Sequence, residues 1–413
     1  MDRPLEVQVC EDLLELQGYS ASKIEIAQYK GKPEIQVHIQ RTGQPRCSWC
    51  HSELPIYDTR IRHIQHASVL CRPVILVLSL RRTNCPKCGV KTEHQSISEG
   101  IKRHSRSMEK MTLRFSEKLD NYSIAKLLGY SQSSIYRIDK AGLETLEQWL
   151  RGNVPKPAHV SIDEVAHKRR HHYTTVLTNQ EDAKVIDVSL GKSKQSATSL
   201  FRKWDDKLRW VETISMDFSQ SYIGATCEHF SEHYIVFDRF HFSRIVNRHL
   251  EQIRRDIQRQ LTDEERRHCK KSSRWLALRR LQNSNSKQLN ALEQMKLDNQ
   301  PLYEAYLLKE MLLSIFDEDI HKDDAEQRLL NWCAIVDKGH FAPFVRLAKQ
   351  IRQRLHILLN WFKYHISNAK AEAVNNIIKS LLKRAYGYKD FDYFRLKVLQ
   401  KCGYLMEGLT HLV

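Results

Sequence analysis

The chain has 413 residues, 41% of them hydrophobic, which is enough for roughly two to four structural units. Its 66 Lys and Arg residues outnumber its 49 Asp and Glu residues and leave a net charge of +17. An excess of this size favours a polyanionic partner, either nucleic acid or an acidic membrane surface.

The apolar pattern argues against a membrane protein. The longest apolar run, Val74–Leu80, is far shorter than the roughly 20 residues that cross a bilayer as a helix. The N-terminal sequence MDRPLEVQVC lacks the basic and then apolar regions of a signal peptide. We therefore expect a protein of the reducing cytoplasm that binds nucleic acid and has no membrane partner.

Two Cys-x-x-Cys pairs in the first hundred residues have the spacing of a metal site. Each pair supplies two thiolates from a tight turn, and four thiolates complete the tetrahedral shell of a structural Zn²⁺. Between the pairs runs RPVILVLSLRR, which predicts a strand of a ribbon hairpin. The segment between the pairs is longer than the common range, so four reduced core cysteines remain the alternative. The predicted zinc ligands are Cys47, Cys50, Cys85 and Cys88.

The stretch from Met108 to Trp149 has helical periodicity with a break in the middle. Positions 121–129 predict a helix and a turn at Gly129, and Ser131 predicts the N-cap of a second helix. Apolar side chains would pack across the turn, namely Ile124, Leu127, Leu128, Ile135 and Ile138. This pattern predicts a helix-turn-helix, with a plain helical hairpin as the alternative. The outward residues that could contact DNA are Gln132, Ser133, Ser134 and Arg137.

After the linker at positions 155–157, strand-like runs alternate with helical ones. Three strands are expected first, then a helix, a fourth strand, a second helix and a fifth strand. This is the element order of the RNase-H-like fold, in which the ends of the first and fourth strands lie side by side. The predicted strands are 159–163, 171–179, 184–191, 211–217 and 233–238, and the predicted helices are 193–204 and 219–230.

Aspartates close two of these strands, Asp163 the first and Asp217 the fourth. A strand-end aspartate is most often a turn former, but this strand order would bring the two carboxylates together. Mg²⁺ and Mn²⁺ prefer carboxylate oxygens, and two such ions about 3.5–4 Å apart can assist displacement at a phosphodiester. Glu164 is expected to face away and not to be a ligand, because adjacent strand residues point to opposite faces.

Positions 341–385 contain nine Lys or Arg residues and a single acid, Glu372. A helix so basic should lie against phosphates, and a carboxylate in its middle is then costly unless a cation lies on it. We therefore predict Glu372 as a third acidic ligand, on a helix over positions 371–384. The residues that share its helical face are predicted to grip DNA phosphates, and they are Asn376, Lys379 and Lys383.

Longer runs of sequence surround these acids. They are SIDE at 161–164, SMDFSQSY around Asp217, DRFH at 238–241, and SNAKAEAVNNIIKSLLKRAYGY at 367–388. These runs resemble the DDE transposases of bacterial insertion sequences, and most closely the ISL-three group, over nearly the whole chain. The resemblance implies that Asp163, Asp217 and Glu372 form a catalytic triad. It also implies that Asp238 and His241 form a DxxH element near the active site.

Helical sequence interrupts the core from Phe242 to about Leu355. Positions 244–280 carry 12 Lys and Arg residues against 5 Asp and Glu residues, with apolar residues at helical spacing. We expect an insertion domain that grips transposon ends or a dimer partner, with a solvated basic helix face as the alternative. Trp332 or Trp361 could stack on an unpaired base, although a core role is the usual one.

The fold class that we predict is α/β plus α. An RNase-H-like catalytic core is interrupted by a helical insertion domain and preceded by a zinc ribbon and a helix-turn-helix. The expected domains are residues 1–97 for the zinc ribbon, 98–158 for the helix-turn-helix, 159–241 for the first part of the core, 242–355 for the insertion, and 356–413 for the second part of the core with the glutamate helix.

The function that the resemblance implies is DNA transposition. The front domains would bind terminal inverted repeats, and the triad with two Mg²⁺ or Mn²⁺ ions would cleave DNA and transfer strands to target DNA. Two ends must be handled together, so we expect a homodimer or higher oligomer on double-stranded DNA, in the bacterial cytoplasm at the nucleoid. The alternatives are a non-enzymatic transcription factor built on the zinc ribbon and helix-turn-helix, and a stand-alone RNase-H-like nuclease.

Overall fold

The strands of the described residues fall in two stretches of the chain, and each stretch forms its own sheet. The computed structural model describes residues 5–29, 32–98, 100, 102–168, 172–262 and 277–411. The chain divides into a first unit, Met1–Val154 with Leu381–Val413, and a second unit, Pro155–Ser380. The paired cysteines belong to the first unit and the predicted acidic ligands to the second.

The first unit opens with helix α1 (Leu5–Leu13) and a five-stranded sheet. Its strands are β1 (Tyr19–Tyr29), β2 (Lys32–Arg41), β3 (Ile56–Val69), β4 (Arg72–Cys85) and β5 (Gly89–Thr92). Their order is β1-β2-β4-β3, and β5 pairs with the end of β4. Leu70 and Cys71 turn β3 into β4 with positive φ at both positions, which suits the twist of paired strands. Strand β4 confirms the strand predicted between the cysteine pairs.

Helices α2 (Arg106–Ser116), α3 (Asn121–Leu128) and α4 (Gln132–Asn153) follow the sheet. Each begins at a capping side chain, Ser105, Asp120 or Ser131, that accepts a hydrogen bond from the amide three residues on. Gly129 ends α3 in the left-handed conformation, and its closest neighbour is the ring of Pro73. The predicted helix, glycine turn and serine-capped helix are therefore confirmed.

A buried apolar cluster holds these helices together. Its members are Met108, Ile124, Ala125, Leu128, Ile135 and Ile138. The prediction that Leu127 joins this contact was wrong, because Leu127 is 38% exposed. Ala125 faces the cluster, and a residue two positions further along a helix lies on nearly the opposite side.

The sheet of the second unit is mixed. Its strands are β6 (His159–Lys168), β7 (His172–Asn179), β8 (Lys184–Leu190), β9 (Thr213–Met216) and β10 (Ile235–Phe237), in the order β10-β9-β6-β7-β8. Strands β6, β7 and β8 are antiparallel neighbours, whereas β9 runs parallel to both β6 and β10. The first and fourth strands are therefore adjacent, as predicted, and β6 extends beyond the expected end at Asp163.

Helices α5 (Lys194–Lys203) and α6 (Asp205–Leu208) connect β8 to β9, and α7 (Gln220–His229) leads from β9 towards β10. Successive residues of the central strand, Val160 and Ser161, are both fully buried. Because successive strand residues point to opposite faces, this strand is covered on both sides. The helices predicted at 193–204 and 219–230 are confirmed by α5 and α7.

The described part of the predicted insertion is helical as well. Its helices are α8 (Arg239–Gln260), α9 (Ser286–Asp298), α10 (Gln300–Ile315), α11 (Lys322–Asp337) and α12 (Ala342–Gln353). Much of the predicted basic stretch, positions 263–276, lies outside the described residues. Trp332 of α11 is fully buried and donates its ring N–H to the Leu308 carbonyl, so the idea that it stacks on a base was wrong.

Helices α13 (Leu355–Tyr364) and α14 (Ala369–Arg384) come after the insertion. The amide of Asn360 in α13 donates to the carbonyls of His233 and Ile235, at 3.2 and 2.8 Å, and so covers the outer edge of β10. Trp361 packs against Phe362, with ring centroids 5.1 Å apart. No helix within the described ranges is long and apolar enough to cross a membrane.

The C-terminal helix α15 (Phe391–Cys402) belongs to the first unit, where a buried polar network holds it. The Asp139 carboxylate of α4 accepts from the Tyr393 hydroxyl at 2.6 Å and from the Lys397 ammonium at 3.1 Å. Ser116 of α2 also donates to Asp139, and Lys397 donates to the Ser116 carbonyl at 2.8 Å. The described residues from Leu381 onward therefore belong with the N-terminal helices in the first unit, whereas the sequence predicts them as part of the core.

Candidate active site and cysteine cluster

The four cysteines of the two predicted pairs meet in the first unit. One sulfur atom from each of them lies within 4.8 Å of the other three, and the sulfurs of Cys50 and Cys85 are 3.5 Å apart. The His51 amide donates to the Cys47 carbonyl at 3.0 Å and closes the first turn. The second turn joins β4 to β5 and ends at Gly89, which has a φ of +72°.

This donor set fits a zinc ion. Four thiols can supply the full shell of a structural Zn²⁺. Burial, together with hydrogen bonds to the neighbouring cysteines, raises the pKa of the Cys88 thiol to about 12. Hydrogen bonds from the hydroxyl and amide of Ser52 lower the pKa of Cys50 to about 6. Cys50 therefore ionises more readily than Cys88, and a bound cation would favour the thiolate form of Cys88.

In the second unit, carboxylates converge where β9 ends beside β6. Ile162 of β6 pairs with Met216 of β9, so the next residue of each strand leaves the paired region at the same place. Those residues are Asp163 and Asp217. Among the described residues, one carboxylate oxygen each from Asp163, Glu164 and Asp217 lie within 4.8 Å of one another. The structure thus brings together the two aspartates that the strand order singles out.

Glu164 joins this group although strand alternation predicted that it would face away. That prediction was wrong because it assumed a continuous sheet. Strand β9 ends at Met216, so beyond Ile162 no residue of β9 pairs with β6. Side chains from both faces of β6 can then reach the space beyond the end of β9.

Burial and like charge determine the protonation of these acids. Burial, and then the charge of Asp217, raises the pKa of Asp163 to about 7, and the same two causes raise the pKa of Glu164. The Asp217 Oδ1 atom is buried and has no hydrogen-bond partner in the described part of the chain. An orphaned carboxylate oxygen beside two further carboxylates fits a hard divalent cation such as Mg²⁺ or Mn²⁺.

Asp238 and His241 lie at this same site. The Nδ1 atom of His241 is 2.8 Å from Asp217 Oδ2, and its Nε2 atom is 3.7 Å from Asp238 Oδ2. The Asp238 amide donates to the Met216 carbonyl at 3.2 Å, which fixes it beside the end of β9. Burial alone would lower the pKa of His241, but the hydrogen bond and charge of Asp217, with the charges of Asp238 and Asp163, raise it.

Helix α14 contacts the acidic group through an asparagine. The Nδ2 atom of Asn375 donates to Asp163 Oδ2 at 2.6 Å, and Asn375 is only 5% exposed. Glu372 is exposed, and it is not part of the carboxylate group found among the described residues. The structure therefore brings Asp163 and Asp217 together but does not bring the Glu372 carboxylate into their group. The other residues predicted on its face are exposed as well, namely Asn376, Lys379 and Lys383.

Sequence reasoning missed Asn375, although one signal pointed to it. Ala371, Val374 and Ile378 are the buried apolar positions of α14, and Asn375 is buried in the same stripe. A polar amide on the apolar face of a helix needs a hydrogen-bond partner. The charge pattern drew attention to the exposed face beside this stripe, where Glu372 lies.

Residues 160–398, more than half of the chain, match the ISL3 family model, which is described as "Transposase". The chain belongs to the ISL3 family of transposases. Membership implies an enzyme that cuts and transfers DNA, a DNA partner, and use of a divalent metal. The family resemblance carried by the four sequence runs is therefore confirmed.

Two curated relatives of this transposase are also insertion-sequence transposases. The chain is 25% identical over 407 residues to the transposase for insertion sequence element IS1001 of Bordetella parapertussis, covering 95% of this chain and 98% of that protein. It is 21% identical over 253 residues to the transposase for IS1557 of Mycobacterium tuberculosis, covering 56% of each. The Drosophila P element transposase strand transfer complex aligns with 74% of this chain and 80% of its own, at 11% identity and a TM-score of 0.27, which carries no argument about the fold.

The predicted DNA-contact residues of this transposase lie at the start of α4. Gln132, Ser133 and Arg137 are exposed, and the Arg137 guanidinium donates to the Ser133 carbonyl at 3.2 Å. Ser134 is half-buried, and its hydroxyl accepts from the capping Ser131 hydroxyl at 2.8 Å. The first three side chains are open to a partner, whereas Ser134 is engaged in the helix cap.

Proposed function

We propose that this ISL3-family transposase binds the terminal inverted repeats of its insertion sequence, cleaves DNA strands there, and transfers them to target DNA. The observation that carries the proposal is that Asp163, within β6, meets Asp217, which directly follows the adjacent parallel strand β9, and that one oxygen of Asp217 is buried and has no hydrogen-bond partner among the described residues. The strand order β8-β7-β6-β9-β10, in which only β9 and β10 join the sheet in parallel, supports an RNase-H-like core.

Asp163 and Asp217 are the residues that would hold the catalytic Mg²⁺ or Mn²⁺ ions. When bound, two such ions supply an activated oxygen nucleophile and stabilise the leaving oxygen of the phosphodiester. The cluster consists of carboxylates, which supply the oxygen ligands that Mg²⁺ prefers. Ionised carboxylates at this spacing repel one another until a cation neutralises them, and this supports the assignment.

A side chain from a helix contacts each of the two aspartates. His241 contacts Oδ2 of Asp217 and leaves Oδ1 for a ligand, while Asp238 lies behind His241. Asn375 donates to Oδ2 of Asp163, whose Oδ1 accepts from the backbone amide of Glu164. We assign positioning roles to His241, Asp238 and Asn375, because a ligand held by a second hydrogen bond keeps one orientation.

For the third acidic ligand we propose Glu372, and Glu164 is the second candidate. Glu372 and Asn375 are three residues apart in α14, and residues at that spacing are neighbours on a helix surface. The contact of Asn375 with Asp163 thus puts position 372 about one helical turn from the acidic group. Glu164 is favoured by its carboxylate, which already lies in that group.

Recognition of DNA is assigned to the first unit. We propose that α3, the Gly129 turn and α4 form a helix-turn-helix that contacts duplex DNA through Gln132, Ser133 and Arg137, and that the four cysteines form a zinc ribbon. The caps and the buried cluster support a fixed angle between the helices. We also propose phosphate contacts by residues of α14, namely Asn376 and Lys379 of the second unit and Lys383 of the first. Joining two DNA ends would take at least a homodimer.

The test uses DNA that carries both ends of the element. With Mg²⁺, Asp163→Asn and Asp217→Asn should each lower strand cleavage and strand transfer by more than about a hundredfold, because each loses a metal ligand. Asp319→Asn is the matched control, since its side chain is fully solvated at 98% exposure. Full activity of both active-site variants would overturn the proposal. Tight DNA binding by the unaltered protein without any Mg²⁺-dependent cleavage would favour the transcription-factor alternative.

A further inference from the structure

A pocket of about 780 Å³ opens within the first unit, beside the start of α4. Its walls come from the beginning of α3, the first turns of α4, and the segment at 381–397. The volume is in the range of about 300–1,000 Å³ that is usual for sites of small ligands. Tyrosine side chains form much of its lining, namely Tyr122, Tyr136, Tyr386, Tyr388 and Tyr393.

The inner tyrosines are fixed in place. The Tyr393 ring is buried and contacts the Tyr136 ring edge-on, with centroids 4.8 Å apart and an interplanar angle of 77°. The Tyr388 ring lies 5.8 Å from Tyr393. The Tyr136 hydroxyl donates to the Asp390 carboxylate at 2.9 Å. These contacts make a rigid aromatic floor, so little conformational freedom would be lost when a ligand binds.

The outer tyrosines present their rings to solvent. Tyr386 is fully exposed and has a φ of +52°, which is uncommon and strained for a bulky residue. Gly387 follows with a φ of +92°, and its amide donates to the Leu382 carbonyl at 3.0 Å, so the turn that ends α14 holds Tyr386 outward. Tyr122 on the opposite rim is 63% exposed. Tyr386 and Tyr122 are too exposed for a role in core packing to explain why tyrosine occupies these positions.

The charges of the pocket favour an anion. Arg384 and Lys389 are exposed in its lining. The carboxylates in the lining are already engaged: Asp120 caps α3 through the Ser123 amide, and Asp390 accepts from the Lys140 ammonium at 2.7 Å. Arg384 donates one N–H to the Lys118 carbonyl, and its guanidinium has further N–H groups that could bind a phosphate together with Lys389.

We infer that this pocket binds an unpaired nucleotide of DNA, with the base stacked on tyrosine rings and the phosphate near Arg384 and Lys389. The inference rests on the proposed DNA-binding role of α4, because Gln132, a predicted base-contacting residue, lines the same pocket. Proteins bind single-stranded nucleic acid with aromatic side chains that stack on the bases and with basic side chains nearby that contact the phosphates. Stacking is possible for every base, because every base has an aromatic face. Duplex bases are stacked on one another, so the ligand is a nucleotide left unpaired at a DNA end.

The test measures binding of the full-length, zinc-loaded protein to three labelled probes by fluorescence anisotropy. They are a blunt duplex, the same duplex with a short unpaired 3′ thymidine tail, and the thymidine single strand alone. The unaltered protein should bind the tailed duplex about five- to a hundredfold more tightly than the blunt one. Tyr122→Ala and Tyr386→Ala should lose most of this preference and keep their affinity for the blunt duplex. Tyr386→Trp should retain it.

Tyr57→Ala is the control, because Tyr57 is 58% exposed on β3 of the same unit and does not line the pocket. Equal affinity of the unaltered protein for tailed and blunt duplexes would overturn the inference. A change in sedimentation of the Tyr122 and Tyr386 variants, with tail preference intact, would also overturn it and assign the pocket to a protein segment. If the protein does not bind the blunt duplex at all, the helix-turn-helix proposal fails. Binding of the single-strand probe, and its loss in the Tyr122 and Tyr386 variants, then tests the pocket by itself.

Discussion

The side-chain amide of Asn375 donates a hydrogen bond of 2.6 Å to the Asp163 carboxylate, a contact between residues 212 positions apart. It joins helix α14 to the strand end where the acidic group forms. Asp163 also accepts the Glu164 amide at 2.7 Å through its other oxygen. Both oxygens of Asp163 thus accept a hydrogen bond from the protein. One of these bonds comes from the Asn375 side chain, which a substitution can remove.

Replacing Asn375 with Ala should weaken binding of Mn²⁺ by about ten- to a hundredfold, because Asp163 then loses the partner that orients Oδ2. Isothermal titration calorimetry with Mn²⁺ alone measures this without reference to activity. Asn376→Ala is the control, since Asn376 lies on the exposed face of the same helix. Equal Mn²⁺ affinity of Asn375→Ala and the unaltered protein, with matched thermal unfolding, would show that the contact does not position the ligand.

The two candidates for the third acid make opposite predictions. We expect Glu372→Gln to lower strand cleavage by more than about a hundredfold with DNA binding retained, because Glu372 would carry a metal ligand. Glu164→Gln should cost less than about tenfold, since its removal also relieves repulsion beside Asp163. Cleavage rates and duplex affinities of both variants are the measurement. The reverse ranking would assign the ligand role to Glu164.

The sequence predicted those parts of the acidic site that depend on strand order. Hydrophobic period and turn residues located the strands, and a strand order of the RNase-H type then placed Asp163 beside Asp217. Glu164 could not be predicted in the same way, because the alternation rule does not say where the neighbouring strand stops. Asn375 was missed because its role comes from a single contact with a distant strand.

In the first unit too, features set by neighbouring residues could be predicted, whereas contacts between residues far apart in the sequence could not. The Ser131 cap, the Gly129 turn and the cysteine pairs are local patterns, and the sequence located them correctly. The attachment of α15 depends on Asp139 and Lys397, which lie 258 positions apart. No periodicity or motif connects two residues at that separation, so the packing of the C-terminal segment could only come from the structure.

Zinc should be part of the folded first unit. Cys85→Ser removes one of four ligands, so it should lower the zinc content measured by atomic absorption well below that of the unaltered protein. It should also destabilise the unit by an amount on the order of several kcal/mol, because metal binding and folding are coupled. Cys71→Ser serves as the control, since Cys71 is exposed and outside the cluster. Unchanged zinc content in Cys85→Ser would contradict the assignment.

Acid should destabilise the first unit through His66. Its Nε2 atom donates to the Leu14 carbonyl at 2.9 Å, so Nδ1 accepts from the Ser105 hydroxyl at 2.7 Å and the ring is neutral. Burial lowers its pKa to about 4, against about 6.5 in an unfolded chain. The unfolded state therefore binds the proton first, and stability falls as the pH drops from about 6.5 to about 4, by up to about 3 kcal/mol.

Urea unfolding at pH 7.5 and pH 5 tests this effect. His66→Gln should lose less stability between these two pH values than the unaltered protein, because the titrating group is gone. His94→Gln is the matched control, since His94 is exposed in the same unit. The cysteine cluster is also sensitive to acid, but it contributes equally to all three proteins. An identical pH dependence in all three would rule out a buried neutral His66.

Alanine at two glycines, Gly129 after α3 and Gly152 in α4, should change stability in opposite directions. Gly129 has a φ of +76°, and an added Cβ would lie 2.6 Å from the Cγ atom of Pro73, so Gly129→Ala should destabilise by about 1–3 kcal/mol. Gly152 is an exposed helical residue of α4 whose Cβ would meet nothing within 4 Å, so Gly152→Ala should stabilise by about 0.5–1 kcal/mol.

Urea unfolding measures both changes, and duplex DNA binding separates stability from recognition. The Gly129 turn sets the angle at which α4 presents Gln132 and Arg137, so Gly129→Ala should also weaken duplex binding under conditions where it remains folded. Gly152 lies at the other end of α4, and its variant should bind duplex DNA with unchanged affinity. If Gly129→Ala keeps full DNA affinity, the turn is needed only for folding, and DNA must contact a different surface of the first unit.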